Sequence, residues 1–299
     1  MNTHAPIQIG VIGIGVMGLP IATRLQREGF AMTVRDIRAE AMAAAVAGGL
    51  ATAASPALLA AKVDVLIVIV VDAAQIDTVL FGADGVVHRA RHDARGMHRP
   101  LTVLLCSTVA PDDVVRCAER LATHGIEMLD APVSGGPVRA LAGSISMMLA
   151  GPATTLERVA SVTAAMADKR FVISAHVGDA ARVKLVNNLL AGANLVAAAE
   201  AMALGARLGL DTHTLFDVIS QSSGASWIFS DRMARVLHDD FAPRAALTLL
   251  TKDLTLATGM AQSVAQPTPV ADAALTMFNQ AVAAQYGALD DAAVIKAYP

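Results

Sequence analysis

Residues 7–36, IQIGVIGIGVMGLPIATRLQREGFAMTVRD, decide how this chain is read. Ile7 to Ile12 is a short apolar run, and Gly13-Ile14-Gly15-Val16-Met17-Gly18 follows at once. LPIATRLQREG then has the spacing of an amphipathic helix closed by Gly29, and Ala31 to Val34 forms a second strand ending at Arg35-Asp36. Strand, GxGxxG, helix, strand and acid is the order of a dinucleotide-binding βαβ unit. The glycines permit the tight turn and let the backbone approach a pyrophosphate at the helix N-terminus. The candidate cofactor contacts are therefore Gly13, Gly15, Val16, Met17 and Gly18, with Asp36 placed to hold the adenosine ribose hydroxyls. A carboxylate at that position repels the 2′-phosphate of NADP and favours NAD, while the flanking Arg35 and Arg38 could reverse the preference. A glycine-rich turn without ligand is the bland alternative; the flanking elements and the acid about 20 residues on disfavour it.

The alternation continues outward. The helix Pro56 to Ala61 precedes a buried strand, Val63 to Val71, and Leu101 to Cys106 forms another, followed by Ser107-Thr108-Val109-Ala110-Pro111. A helix from Asp112 to His124 leads to the strand Glu127 to Asp130, and Ser144 to Leu149 reads as a further strand before a helix and a last strand near Ser174. Repeated βα units with continuous apolar strands predict a parallel sheet covered on both faces. Ligands of such sheets lie beyond the strand C-terminal ends, which places Val71, Thr108 and the segment from Asp130 beside the cofactor. That segment, Ala131-Pro132-Val133-Ser134-Gly135-Gly136-Pro137, either holds a carboxylate through its amides and the Ser134 hydroxyl or is a plain proline-glycine turn.

Residues 178–209, GDAARVKLVNNLLAGANLVAAAEAMALGARLG, read as one long helix stopped by Gly209, with Asp179 at its start. Its apolar residues go most of the way round, so it is expected to be buried in the middle of the molecule. Lys184 and Asn188 are neighbours on one face. A lysine among Val183, Leu185 and Val186 loses hydration when buried, which suits it to proton transfer; the alternative is a lysine snorkelling to solvent. After Gly209, helices are expected over Asp211–Ser220, Trp227–Leu237, Leu247–Gln262 and Val270–Tyr286. Trp227 and Phe229 read equally as core or as the wall of a substrate pocket.

Composition bounds the function classes. The 299 residues are 55% hydrophobic and 16% charged, enough for a sizeable core and against global disorder. A net charge of −3 makes no case for nucleic acid or an anionic membrane. The basic run His88 to Arg99 is interrupted by Asp93 and Gly96 and reads as a solvated loop. Cys106 and Cys117 have no metal-ligand spacing and read as reduced buried thiols; no His/Asp/Cys cluster calls for a metal. The N-terminus lacks a signal-peptide pattern, and Asn187, Asn188, Asn194 and Glu200 break the most apolar segment, so a cytoplasmic protein with no membrane span is expected.

Five motifs stand in one order: GxGxMG at Gly13–Gly18, STVAP at Ser107–Pro111, DAPVSGG at Asp130–Gly136, KLVNN at Lys184–Asn188 and KDL at Lys252–Leu254. Together they resemble the β-hydroxyacid dehydrogenase family over nearly the whole chain. The resemblance implies that Ser134, Gly135 and Gly136 bind a substrate carboxylate and that Lys184 is the acid/base. It also implies that Asn188 contacts the substrate hydroxyl and that Lys252 lies near cofactor and substrate. AEAMALGARLGL, SGASWIFSDR and HDDFAPRAALTLLTKDL extend it toward members acting on C3–C4 sugar acids, with tartronate semialdehyde or 3-hydroxyisobutyrate as alternative substrate types. A non-catalytic NAD-binding module is the competing class.

The expected architecture is an α/β Rossmann-type domain over residues 1–176 and an all-α substrate and oligomerisation domain over residues 177–299, joined by the long central helix. The active site is expected in the cleft between them. The expected partners are a small hydroxy acid and a second copy of the chain, as a homodimer or homotetramer, with NAD (or NADP) as cofactor.

Overall fold

The computed structural model describes residues 7–90 and 100–298. Residues 91–99 of the basic run, and the first residues of the N-terminus, lie outside the described residues. The chain forms two units, Met1–Lys184 and Leu185–Pro299, and the boundary falls inside the long helix.

In the first unit, β1 (Gln8–Ile12), α1 (Gly18–Arg27), β2 (Ala31–Arg35), α2 (Ala39–Ala47), β3 (Ala51–Thr52), α3 (Pro56–Ala60), β4 (Val65–Val68), α4 (Ala73–Phe81), β5 (Thr102–Leu105), α5 (Pro111–Thr123) and β6 (Glu127–Asp130) alternate as the sequence predicts. They pair in parallel in the order β3-β2-β1-β4-β5-β6. Alternate residues of each strand enter opposite cores. Val65, Ile67 and Leu104 pack with Ile21 and Leu25 of α1, whereas Leu66, Val68, Val103 and Leu105 pack with Leu59, Ile76 and Leu121 on the other face.

The rest of the sheet departs from the parallel expectation. β7 (Val133–Ser134), α6 (Gly136–Ala142), β8 (Ser146–Ala150), α7 (Ala153–Arg158), α8 (Ala160–Met166) and β9 (Lys169–Ser174) follow. β8 runs antiparallel to β6 and β7 and parallel to β9. β6 and β7, separated only by Ala131 and Pro132, run in the same direction, and β8 returns between them after α6. β4 is also shorter than the predicted Val63–Val71. Past Val68 only Ile69 N–H still bonds the ladder, to the Ile12 carbonyl; the N–H groups of Val70 and Val71 donate instead to Ser107 Oγ (2.8 Å) and Gln75 Oε1 (3.1 Å).

The long helix α9 spans Asp179–Arg207 and ends before Gly209, whose φ of +75° only glycine adopts without strain. In the second unit it buries Leu195, Val196, Ala199 and Met202 against α11 (Trp227–Val236), α12 (Leu247–Ser263) and α13 (Pro269–Ala283), with α10 (Thr212–Ser220) alongside. Asp211 and Ser226 cap α10 and α11 through Thr214 N–H and Phe229 N–H. A 3₁₀ segment, Asp291–Ala297, is held by Arg232 and Arg235, which pair with Asp291 and Asp290.

The expectation that α9 is buried on nearly every side is wrong for this chain. In the single chain Val186, Leu190 and Leu204 are each 59% exposed. By length and composition alone α9 is long and apolar enough to cross a membrane, a test that core helices also meet.

Candidate active site

The glycine loop is built by sterics. Gly13 has φ +90°, and a Cβ there would lie 2.3 Å from the Ile69 carbonyl oxygen. A Cβ on Gly18 would lie 1.9 Å from the Gly13 carbonyl oxygen, so α1 starts this close to the loop only with glycine. At Gly15 the nearest atom to a Cβ would be Arg38 Nη2 at 3.5 Å, so that backbone lies open to an incoming group. Val16 is half-exposed beside it, and Met17 is the N-cap position of α1, whose first-turn amides follow. A dinucleotide pyrophosphate fits this arrangement of bare backbone and helix N-terminus.

Asp36 follows β2 directly and is buried. Its Oδ1 accepts from Arg38 N–H (2.9 Å) and Arg38 Nε (3.0 Å), and its Oδ2 accepts from Nη2 (3.1 Å). Burial works against ionisation, but the Arg38 hydrogen bonds and charge outweigh it and hold the carboxyl below the usual range. Of the two flanking arginines, Arg38 therefore reaches both the acid and the glycine loop.

The strand ends supply the rim. Val71 stands 46% exposed beyond β4. The buried Ser107 hydroxyl ties the end of β5 to Val70, with half-buried Thr108 next to it. Further on, Ser134 lies in β7 paired with Ser146, and Gly135 and Gly136 follow with φ of +137° and +76°. A Cβ on Gly136 would meet nothing within 4 Å, so the backbone there is open to an incoming group. Cys106 and Cys117 are buried free thiols, and burial raises both, Cys117 to about 11, which favours the protonated form.

Lys184 is 7% exposed, which agrees with the buried reading rather than the snorkelling one. In the second unit Asn188 is also buried, and its Nδ2 donates to Asp253 Oδ2 at 2.6 Å, while Asn187 Nδ2 donates to Asn188 Oδ1 at 3.0 Å. Asp253 Oδ1 pairs with Lys252 Nζ at 2.8 Å. The structure thus joins Asn188 to Lys252 through Asp253, a residue the sequence reading passed over. The signal was an acid inside the apolar face of α12, between Leu250 and Leu254, where a charge needs partners. Phe229 is core and stacks on Phe216 at 5.5 Å, but Trp227 is 55% exposed, so the core reading fails for the tryptophan. Near it a cavity of about 370 Å³ is lined by Asn194, Ser223, Ser226 and Phe229. Among the described residues, no group of three or more His, Cys, Asp or Glu side chains could hold a metal ion.

Comparison with known proteins gives the family. Residues 8–178 match the NAD-binding domain of 6-phosphogluconate dehydrogenase, and residues 178–298 match the NAD-binding domain of NADP-dependent 3-hydroxyisobutyrate dehydrogenase. The chain is 42% identical to an L-threonate dehydrogenase of Cupriavidus necator, over 97% of this chain and 96% of the relative. It is 40% identical to that of Escherichia coli K12, over 100% and 97%. A crystal structure of a 3-hydroxyisobutyrate dehydrogenase from Salmonella typhimurium superposes with a TM-score of 0.88 at 38% identity, covering 97% of this chain and 99% of that one. The chain belongs to the 3-hydroxyisobutyrate dehydrogenase-like β-hydroxyacid dehydrogenase family and is an NAD(P)-dependent dehydrogenase.

Proposed function

We propose that this protein oxidises L-threonate or a similar C3–C4 sugar acid, with NAD preferred over NADP. The observation that supports the substrate is the near-full-length likeness to L-threonate dehydrogenases at 36–42% identity; the solved 3-hydroxyisobutyrate dehydrogenase at 38% keeps that acid in the test panel. The buried acid at Asp36 supports NAD.

NAD, when bound, would supply the hydride acceptor for oxidation at the carbinol carbon. Gly13, Gly15, Val16, Met17 and Gly18 hold the pyrophosphate, Asp36 the ribose, and Val71, Thr108 and Lys252 flank the rest of the cofactor. Ser134 Oγ and the Gly135 and Gly136 amides orient the substrate carboxylate. Lys184 Nζ takes the hydroxyl proton during oxidation and returns it in reduction; its burial, which keeps the group away from bulk solvent, supports this role. Asn188, oriented by Asp253, fixes the hydroxyl.

The exposed Leu190, Leu204 and Leu208 of the second unit support a homodimer or homotetramer that covers them. The metabolic character of the relatives supports a cytoplasmic location.

A panel of L-threonate, 3-hydroxyisobutyrate and tartronate semialdehyde, each with the NAD and NADP couples, tests the reading. The highest kcat/KM is expected for L-threonate with NAD. A preference for another acid would overturn the substrate, and tight NAD binding without any turnover would make the protein a binding module.

A further inference from the structure

Asp130 is the last residue of β6 and is 1% exposed. Its Oδ2 accepts two backbone hydrogen bonds, from Gly178 N–H and Ala181 N–H, both at 2.9 Å. These donors belong to the start of α9, where N–H groups have no partner inside the helix. The helix's own first residue does not cap it: the Asp179 carboxylate accepts from Ser174 Oγ and Arg182. The cap comes instead from a strand end 48 and 51 residues earlier in the chain. Burial pushes the Asp130 carboxyl up to about 6, with Cys106 and Asp179 as the other titratable groups facing it, yet it remains ionised at neutral pH.

Two features make this more than a cap. Asp130 opens the DAPVSGG segment, four residues before Ser134. Lys184 lies three residues past Ala181, about 4.5 Å further along the same helix at 1.5 Å per residue. We propose that Asp130 is a positioning residue for proton transfer: its two hydrogen bonds fix the first turn of α9, and so Lys184 Nζ, against the strand end from which the Ser134–Gly136 loop departs. This rests on the acid/base reading of Lys184. A misplacement of about 1 Å at a reacting group costs as much as a hundredfold in rate, so an anchor this near the lysine is a rate determinant.

The test compares Asp130→Asn, Asp130→Glu and Asp130→Ala with Lys184→Ala, measuring kcat per NAD-binding site, KM for L-threonate and the Kd of NAD. The Asn amide oxygen accepts both N–H groups from the same place, so Asp130→Asn should keep kcat within about fivefold of the parent protein. Glutamate keeps the charge but moves the oxygens by about one bond length, and Asp130→Glu should lose about tenfold or more in kcat. Asp130→Ala should lose roughly ten- to a hundredfold, with the Kd of NAD unchanged within about twofold. If Asp130→Ala does not fold, the Asn and Glu variants carry the comparison. A purely structural cap would lower the melting temperature while leaving kcat per site equal in all variants, and that result overturns the proposal. Equal kcat in the Glu and parent proteins beside an inactive Lys184→Ala would refute the positioning role and leave the lysine reading intact. A Lys184→Ala variant with substantial turnover would remove both.

Discussion

Removing the carboxylate of Asp36 should reverse the cofactor preference, because Asp36 and Arg38 form one device. Asp36 Oδ1 and Oδ2 accept three hydrogen bonds from Arg38, and the Arg38 guanidinium lies against the open side of Gly15. In the proposed NAD complex the carboxylate would accept from the ribose hydroxyls, and hydrogen bonds to a charged group contribute about 1.5–3 kcal/mol. Asp36→Ala should therefore weaken NAD by about ten- to a hundredfold. The same change releases Arg38, whose side chain is 55% exposed, to meet a 2′-phosphate, a pairing of the strong charge-assisted kind. Partial exposure screens that pair and limits its gain to about tenfold. The ratio of kcat/KM for NAD to that for NADP should fall by about a hundred- to a thousandfold. Initial rates of nicotinamide reduction with L-threonate, at varied NAD and NADP, measure it. Adding Arg38→Ala should cancel the NADP gain and keep the NAD loss. An unchanged KM for NAD in Asp36→Ala, or an NADP gain that survives Arg38→Ala, would refute the reasoning.

Lys184→Ala should fold and bind NAD yet lose about two to four orders of magnitude in turnover, and Lys184→Arg should restore little because guanidinium does not accept a proton at working pH; retention of a tenth of the rate would sink the assignment. Gly18→Ala should destabilise the fold and abolish NAD binding, since its Cβ would meet the Gly13 carbonyl at 1.9 Å, whereas Gly15→Ala should fold normally and lose NAD affinity alone; equal thermal stability of the two variants would contradict the packing argument. Asp253→Ala should raise KM for the hydroxy acid more than KM for NAD, because Asn188 Nδ2 loses its acceptor, and the titration that distinguishes them is steady-state kinetics with each substrate varied. The Asp130 carboxyl is raised from 3.8 to about 6, so its contribution to stability is present below 3.8 and is lost as pH rises through about 6. Relative to Asp130→Asn, the parent protein should thus lose on the order of 3 kcal/mol between those limits; chemical denaturation at several pH values would show a constant difference if the carboxyl does not titrate there.

Much of this architecture follows from local patterns. The positive φ of Gly209, the alternation that sends Val65 and Leu66 to opposite cores, and the caps at Asp211 and Ser226 involve residues within a few positions of one another. Such requirements are written directly into residue type and spacing, which is why the βα order, the long helix and the glycine loop were legible in advance. What the tertiary structure alone decided involves partners far apart in the chain. Ser107 ends β4 by taking the Val70 amide 37 residues away; Asp130 caps α9 across 48 and 51 residues; Asp253 orients Asn188 across 65. The exposed leucines of α9 make the same point, since an apolar residue states a preference for burial and its neighbours decide whether burial occurs. Periodicity reports which face of an element is apolar, but a hydrogen bond depends on two atoms meeting within about 3 Å, and only the folded path of the chain brings them there.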